Sequence, residues 1–382
     1  MSPKIVINEY GQRVREYAWD EYQDRLRLRK LWKGGEDLNG KILVIRHTWG
    51  IGDILYSTPA MHALKEQFPK VSIRYICTHP EVLENNPDID KVYHWMDADA
   101  LIQMSDDNEG KEWYWLDYDV PLKGGYDYKI HLRPKPQLNE FLVQLLTKKP
   151  EDLKGDELDF INQASHAVIT RYAQIALDMY CWHAHVDPPV KTVYYYPYDS
   201  ELAVARTFLK PMQDKGYRPI ALIPHSSTLY KDYPHWKEVI SLCSPKYFWI
   251  VLDSFGRGEV WSSPNIYNCS GVFKTRAAIA LIIESDMCCS SDTGMLYPRA
   301  ARGKPCTVTY GPHDPEPFLK YFPSAHGLRV PYVTTLVPGQ QLCSVGCYID
   351  SAGCKVQGEH APCLTELEPQ RVAEEITAAL EK

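Results

Sequence analysis

The regular alternation of apolar and polar stretches begins at Lys41. Ile42-Leu-Val-Ile45 is a short unbroken apolar run, the mark of a parallel strand buried on both faces. Arg46-His-Thr-Trp-Gly-Ile-Gly-Asp53 follows. A helical stretch then runs from Ile54 to Phe68, with Pro59 in its first turns and Ala60, Leu64 and Phe68 on one stripe. Val71 to Ile76 predicts a second strand, Val92-Tyr-His-Trp95 a third and Tyr128 to Leu132 a fourth. Residues 97–125 are polar, aromatic and without clear period, which reads as a long loop or insertion. Residues 156–182 carry a long helical pattern through Ile161, Ala164, Val168, Tyr172 and Ile175.

Val186-Asp-Pro-Pro-Val190 breaks the pattern, and the polar stretch from Tyr194 to Ser200 reads as an extended linker. The alternation then restarts. Strands are expected at Pro219 to Pro224, Phe248 to Leu252, Asn265 to Asn268, Asp286 to Ser290 and Pro305 to Tyr310. Helices are expected at His235 to Cys243, Thr275 to Glu284, from Met295 onward, and finally at Glu368 to Glu381. Two blocks of alternating strands and helices predict an α/β protein with two doubly wound parallel sheets. In such sheets ligands bind outside the carboxyl ends of the strands, often between domains. Residues 1–39 fit neither block. Arg25-Leu-Arg-Leu-Arg29 alternates like a strand, while Tyr22, Leu26 and Arg29 also fit one helix face, so the segment is read as an appendage with a solvated, charged face.

Composition narrows the classes. The 382 residues suit two domains. Apolar residues at 45% and charged residues at 24% exclude a disordered chain, a collagen and a coiled coil. With 42 Lys and Arg against 49 Asp and Glu, the net charge of −7 argues against a duplex nucleic-acid binder, which needs a basic excess to neutralise phosphates. The longest apolar run, Ala277 to Ile283, is far shorter than a membrane span, and the N-terminus has no signal-peptide core. The expectation is a cytoplasmic protein without a transmembrane segment, whose 11 cysteines serve as thiols or metal ligands rather than bridges. Oligomeric state leaves no mark in the sequence.

Three strand-to-helix loops carry candidate chemistry. In Gly50-Ile-Gly-Asp53 the glycines let backbone approach a ligand and the helix start favours anions. It lacks the third glycine of a dinucleotide fingerprint and the Gly-Lys-Ser/Thr of a P-loop. Asp53 is then either a general base facing the interdomain cleft or simply a helix cap. In the second loop, Ser226, Ser227, Thr228 and Lys231 offer hydroxyls and a positive charge to phosphate oxygens; an ordinary Ser-rich turn is equally compatible. The third, Ser290-Ser-Asp-Thr-Gly-Met-Leu-Tyr297, would aim the amides of Thr293 and Gly294 into the same cleft, with Asp292 as cap or hydroxyl acceptor. The second and third loops together make a diphosphate cradle. His131 and Arg133 follow an N-block strand and are acceptor-side candidates, with Gly50 and Gly52. The cluster Cys343-x3-Cys347-x6-Cys354-x8-Cys363 supplies four thiols, enough for a tetrahedral structural Fe or Zn ion, although its spacing matches no common zinc finger; reduced, unliganded thiols are the alternative.

Taken in order, these motifs resemble the ADP-heptose:lipopolysaccharide heptosyltransferases, glycosyltransferase family 9. The resemblance is carried by Ile42-Leu-Val-Ile-Arg46, Gly52-Asp53 and Thr58-Pro-Ala60 in the first block. In the second it is carried by Lys231-Asp-Tyr-Pro234, Asp292-Thr-Gly294, Ala300-Ala-Arg-Gly-Lys-Pro305 and Tyr310-Gly-Pro-His-Asp-Pro315. Tyr233 stands where the family has Trp, and Tyr297 where it has His. Glu259, after Phe255-Gly-Arg-Gly258, is the candidate for the family's ribose-binding Glu. The terminal cysteines are similar to the iron-binding segment of the autotransporter heptosyltransferase branch.

The resemblance implies a GT-B fold of two Rossmann-like domains with a cleft between them. The boundaries expected are an appendage at 1–39, an acceptor domain at 40–190, a nucleotide-sugar domain at 200–365 with its Cys-rich segment at 343–363, and a C-terminal helix at 366–382 crossing back to the first domain. It implies inverting, metal-independent transfer of a heptose or related sugar from an ADP-heptose-like donor to a hydroxyl on a glycan, lipopolysaccharide or protein. Asp53 would be the base, with Ser226, Ser227, Thr228, Lys231, Glu259, Asp292, Thr293, Gly294 and Tyr297 on the donor. The rival readings are a sugar-nucleotide epimerase, a non-catalytic nucleotide-sugar binding module, and a phage-type nucleic-acid base glycosyltransferase.

Overall fold

The computed structural model describes residues 4–7, 13–16, 30–32, 34–47, 50–94, 127–131, 177–253, 261–311, 315–329 and 362–381. A small antiparallel pair, β1 (Lys4–Ile7) and β2 (Arg13–Glu16), forms a two-stranded sheet. The first parallel sheet contains β3 (Lys30–Leu31), β4 (Ile42–His47), β5 (Ser72–Cys77), β6 (Lys91–His94) and β7 (Tyr128–His131), in the order β3-β7-β4-β5-β6. The chain enters at the edge strand β3, crosses to the central β4, winds outward to β6, and returns with β7 between β3 and β4. That reversal between β4 and β7 is the switch point where open α/β sheets bind ligands. Leu43, Val44 and Ile45 are all buried, as the apolar run requires.

α1 (Ile51–Gln67) follows β4 and begins three residues earlier than its stripe suggests, so Pro59 sits mid-helix. A mid-helix proline leaves the carbonyl four residues back without its donor. Here that carbonyl is on Leu55, and the Thr58 hydroxyl donates to it at 2.6 Å. The same Thr58 oxygen accepts the Tyr194 amide at 2.8 Å, which fastens the extended linker to the first half. α2 (Leu177–His183) is the described part of the long helical pattern and packs along α1.

The second sheet contains β8 (Arg218–Ile223), β9 (Tyr247–Val251), β10 (Ile266–Asn268), β11 (Met287–Ser291), β12 (Cys306–Thr309) and β13 (Ala325–Leu328). Its order, β10-β9-β8-β11-β12-β13, is all parallel and is the Rossmann order 3-2-1-4-5-6, with the switch point between β8 and β11. The sequence reading did not contain the edge strand β13, whose Ala-His-Gly-Leu has little strand character. It also read the stretch up to Ser200 as linker and missed α3 (Asp199–Gln213). Leu202, Ala205, Leu209 and Met212 do form a helical stripe there, but Pro211 inside the last turn and a charged outer face hide it.

α4 (Trp236–Leu242) and α5 (Thr275–Glu284) cover the second sheet. The helix expected from Met295 is a 3-10 turn at Gly294–Leu296 running into α6 (Tyr297–Ala300). After α7 (Glu316–Leu319) and α8 (Pro362–Thr365) comes α9 (Pro369–Glu381). A crossing back to the first domain was expected of this last helix. Among the described residues its buried Val372, Ile376 and Leu380 share a core with Trp236, Val239 and Trp249 of the second half. Arg218 Nη1 donates to the Leu380 carbonyl at 2.7 Å and holds the helix end there. No helix among the described residues is long and apolar enough to cross a membrane.

Candidate functional site

The first half contributes the turn between β4 and α1. Gly50 caps α1 with extended backbone and has no side chain to offer the helix amides. Asp53 lies in the first turn, half-buried, and its carboxylate is not spent on the cap. Its Oδ1 accepts a hydrogen bond from the Tyr180 phenol of α2 at 2.9 Å. Tyr180 is buried, and the His47 ring meets it edge-on at 5.1 Å. Sequence reasoning placed Tyr180 only within a helical pattern. A partner 127 positions from Asp53 leaves no local signal.

The second half contributes the loops after β8 and β11, on either side of its switch point. Ser226 is buried and builds its own loop: its amide donates to Asp232 Oδ1 at 2.7 Å. Ser227 is exposed. Thr228 keeps a buried Oγ1 that has no hydrogen-bond partner among the described residues. Lys231 Nζ lies 3.0 Å from Asp292 Oδ2, so the cation of one loop is paired with the acid of the other. Ser291, absent from the sequence candidates, ties the two loops together. Its Oγ donates to the Pro224 carbonyl at 2.6 Å and accepts from the Tyr233 amide at 3.0 Å and from Trp236 Nε1 at 3.3 Å. Tyr233, in the place of the family Trp, is buried and donates to the Leu367 carbonyl at 2.8 Å. Two further buried groups at the ends of β8 and β9, His225 Nδ1 and Asp253 Oδ2, stand 3.2 Å apart.

The two halves meet at glycines. A Cβ on Gly294 would run into the amide nitrogen and Cα of Gly52, and one on Gly52 would lie 3.1 Å from the Gly294 Cα. What Gly52 admits is therefore the backbone of the other half. Asp53 is the next residue along from Gly52, and Asp292 and Thr293 precede Gly294, so the glycine contact brings these two turns of the chain against each other. Tyr297 closes the contact from below. Its ring lies 4.4 Å from that of Tyr56 on α1 and 5.5 Å from that of Phe322, and only 2% of the residue is exposed. Burial pushes the Tyr297 phenol up, so it stays neutral beside Tyr56 and Tyr310. The residue at the family's His position thus packs between the halves.

Other candidates are placed less fully. His131 ends β7, its backbone opposite Arg46 in the register of β4 and β7. Arg133, Glu259, Cys343, Cys347 and Cys354 lie outside the described residues. Cys363 opens into α8, half-buried, with its Sγ beside Gly311 at the end of β12. Among the described residues no group of three or more His, Cys, Asp or Glu is placed to hold a metal ion.

Two parallel Rossmann-like sheets with glycine loops at their facing switch points define the GT-B architecture, and this chain has the fold of the family 9 heptosyltransferase structures. It is similar to a glycosyl transferase family 9 protein from Veillonella parvula, at 14% identity and a TM-score of 0.56, covering 91% of this chain and 99% of that one. It is similar to ADP-heptose lps heptosyltransferase II from E. coli, at 16% identity and a TM-score of 0.53, covering 89% and 98%. The dodecameric iron-containing heptosyltransferase TibC, in complex with ADP-D-beta-D-heptose, matches at 13% identity and 0.53 over 92% of this chain and 81% of that one. No protein-family model matches the sequence, and no curated protein matches it.

Proposed function

We propose that this protein is an inverting glycosyltransferase that moves a heptose or related sugar from a nucleoside-diphosphate donor of the ADP-heptose kind to an acceptor hydroxyl. The observation that supports the reading is the contact of Gly52 with Gly294, which brings the turn that leads into Asp53 against the Thr293–Gly294 turn. The acceptor, by the same reading, is a lipopolysaccharide, another glycan or a protein.

The chemistry follows from the charges. Asp53 takes the proton of the acceptor hydroxyl as its oxygen attacks the anomeric carbon. The bond from that carbon to the diphosphate oxygen breaks on the opposite face, and its electrons leave with the nucleoside diphosphate. Lys231, the Thr228 hydroxyl and the amides of Thr293 and Gly294 would meet the negative charge that develops there. Donor phosphates then compete with Asp292 for Lys231 and draw the cation from one anion to another. Each step is assigned to a side chain or amide of the protein. The four thiols of Cys343, Cys347, Cys354 and Cys363 suit a tetrahedral Fe or Zn ion. Such an ion would tie these four positions together, with Cys363 half-buried beside Gly311, and elemental analysis of the purified protein reads its presence.

The test is incubation with an ADP-heptose donor and candidate acceptors, read by intact mass and by the anomeric coupling of the product. The expected result is one added heptose of inverted configuration. Hydrolysis or epimerisation of the donor without any glycosylated acceptor would contradict the reading.

A further inference from the structure

We propose that Tyr180 is a positioning residue for the base: its phenol holds Asp53 Oδ1, which turns Oδ2 toward the side from which an acceptor hydroxyl arrives. The proposal rests on the reading of Asp53 as the base. A carboxylate on a first helical turn can rotate about two side-chain torsions, and a general base must stay within hydrogen-bond reach of one proton. One oxygen of Asp53 is taken at 2.9 Å by Tyr180. The other, Oδ2, lies on the side of Gly50, 3.8 Å from where a side chain would begin there. The missing side chain at Gly50 leaves that oxygen open to approach.

Tyr180 is itself well fixed. It is buried and met edge-on by His47 from the end of β4. Two residues earlier on α2, Asp178 is fastened by three partners. Tyr321 donates to it at 2.6 Å, Lys191 of the linker lies at 2.8 Å, and Lys320 at 3.4 Å. Tyr321 and Lys320 belong to the second half of the chain. The helix that carries the phenol is therefore pinned by the half that carries the diphosphate loops, so docking of the halves and the aim of the base are mechanically linked.

The test compares Tyr180→Phe with Asp53→Asn. Tyr180→Phe keeps the ring and its packing and removes only the donor. Its expected signature is a kcat about 10-fold lower with KM for donor and acceptor unchanged, as for loss of a hydrogen bond to a charged group. Site-specific 4-aminophenylalanine at position 180, which keeps the ring and a weaker donor, should give an intermediate kcat with the same unchanged KM, and it serves if Tyr180→Phe fails to fold. An inactive Asp53→Asn alongside a Tyr180→Phe of unchanged kcat would overturn the positioning role alone. Full turnover in Asp53→Asn would overturn the reading of the base as well.

Discussion

At the scale of single residues, the geometry turns on side chains that do two jobs. Thr58 satisfies the carbonyl orphaned by Pro59 and accepts the linker amide of Tyr194, all in a fully buried position. Thr58→Val keeps the shape and removes both bonds, and should cost about 2–4 kcal/mol in denaturant unfolding, while Thr58→Ser should retain most of it. The Thr-Pro-Ala string was legible in the sequence as a motif, but its physical purpose was not, because Tyr194 lies 136 positions away. The same holds for Asp53. Its position after a buried strand marked it as a candidate, whereas its Tyr180 partner, 127 positions away, left no mark in the sequence. Tyr180 and Ser291 were missed for that reason: one among 26 tyrosines, or one serine at a strand end, carries no pattern until the fold brings its partner to it.

At the scale of elements, the buried strands were legible because burial on both faces forces unbroken apolar runs. β4 and β8 show this plainly, and α5 falls on the span its pattern predicts. α3 was not legible, and it matters for how the halves are joined. Its Glu201 receives Arg276 Nε and Nη2 at 2.7 and 2.8 Å. The same guanidinium donates to the Glu81 and Glu84 carbonyls of the first half at 2.9 and 3.1 Å and to the Tyr196 carbonyl of the linker at 3.1 Å. Arg276 thus clamps α5, α3, the linker and the first half at one point. Burial works against ionisation of Glu201, but the hydrogen bonds from Arg276 and from the Tyr198 amide outweigh it and hold the carboxyl below its ordinary range. A carboxyl lowered on folding contributes stability that is present above its unfolded value, near 4.3 for a free Glu, and is lost as pH falls through the folded value. Glu201→Gln should therefore be less stable than wild type by about 1–3 kcal/mol at pH 7. The gap should narrow as pH is lowered from 7 through the folded value, as read by urea unfolding across that range. A gap that stays constant with pH would mean that the clamp works by shape alone.

At the scale of the whole molecule, two switch points face each other, and two glycines, Gly52 and Gly294, let them touch. The sequence predicted the two sheets and their glycine loops separately. It placed both loops on one cleft without the contact of Gly52 with Gly294, and it did not predict that α9, among the described residues, packs its buried side chains on the second half. In the proposed function the first half supplies the base and the second half holds the leaving diphosphate. The most direct measurement is the kcat of Asp53→Asn under conditions where calorimetry shows ADP bound as in wild type. The account predicts a fall of at least about 100-fold, the usual worth of a general base, with ADP affinity unchanged. A variant that binds ADP and turns over at the wild-type rate would contradict it.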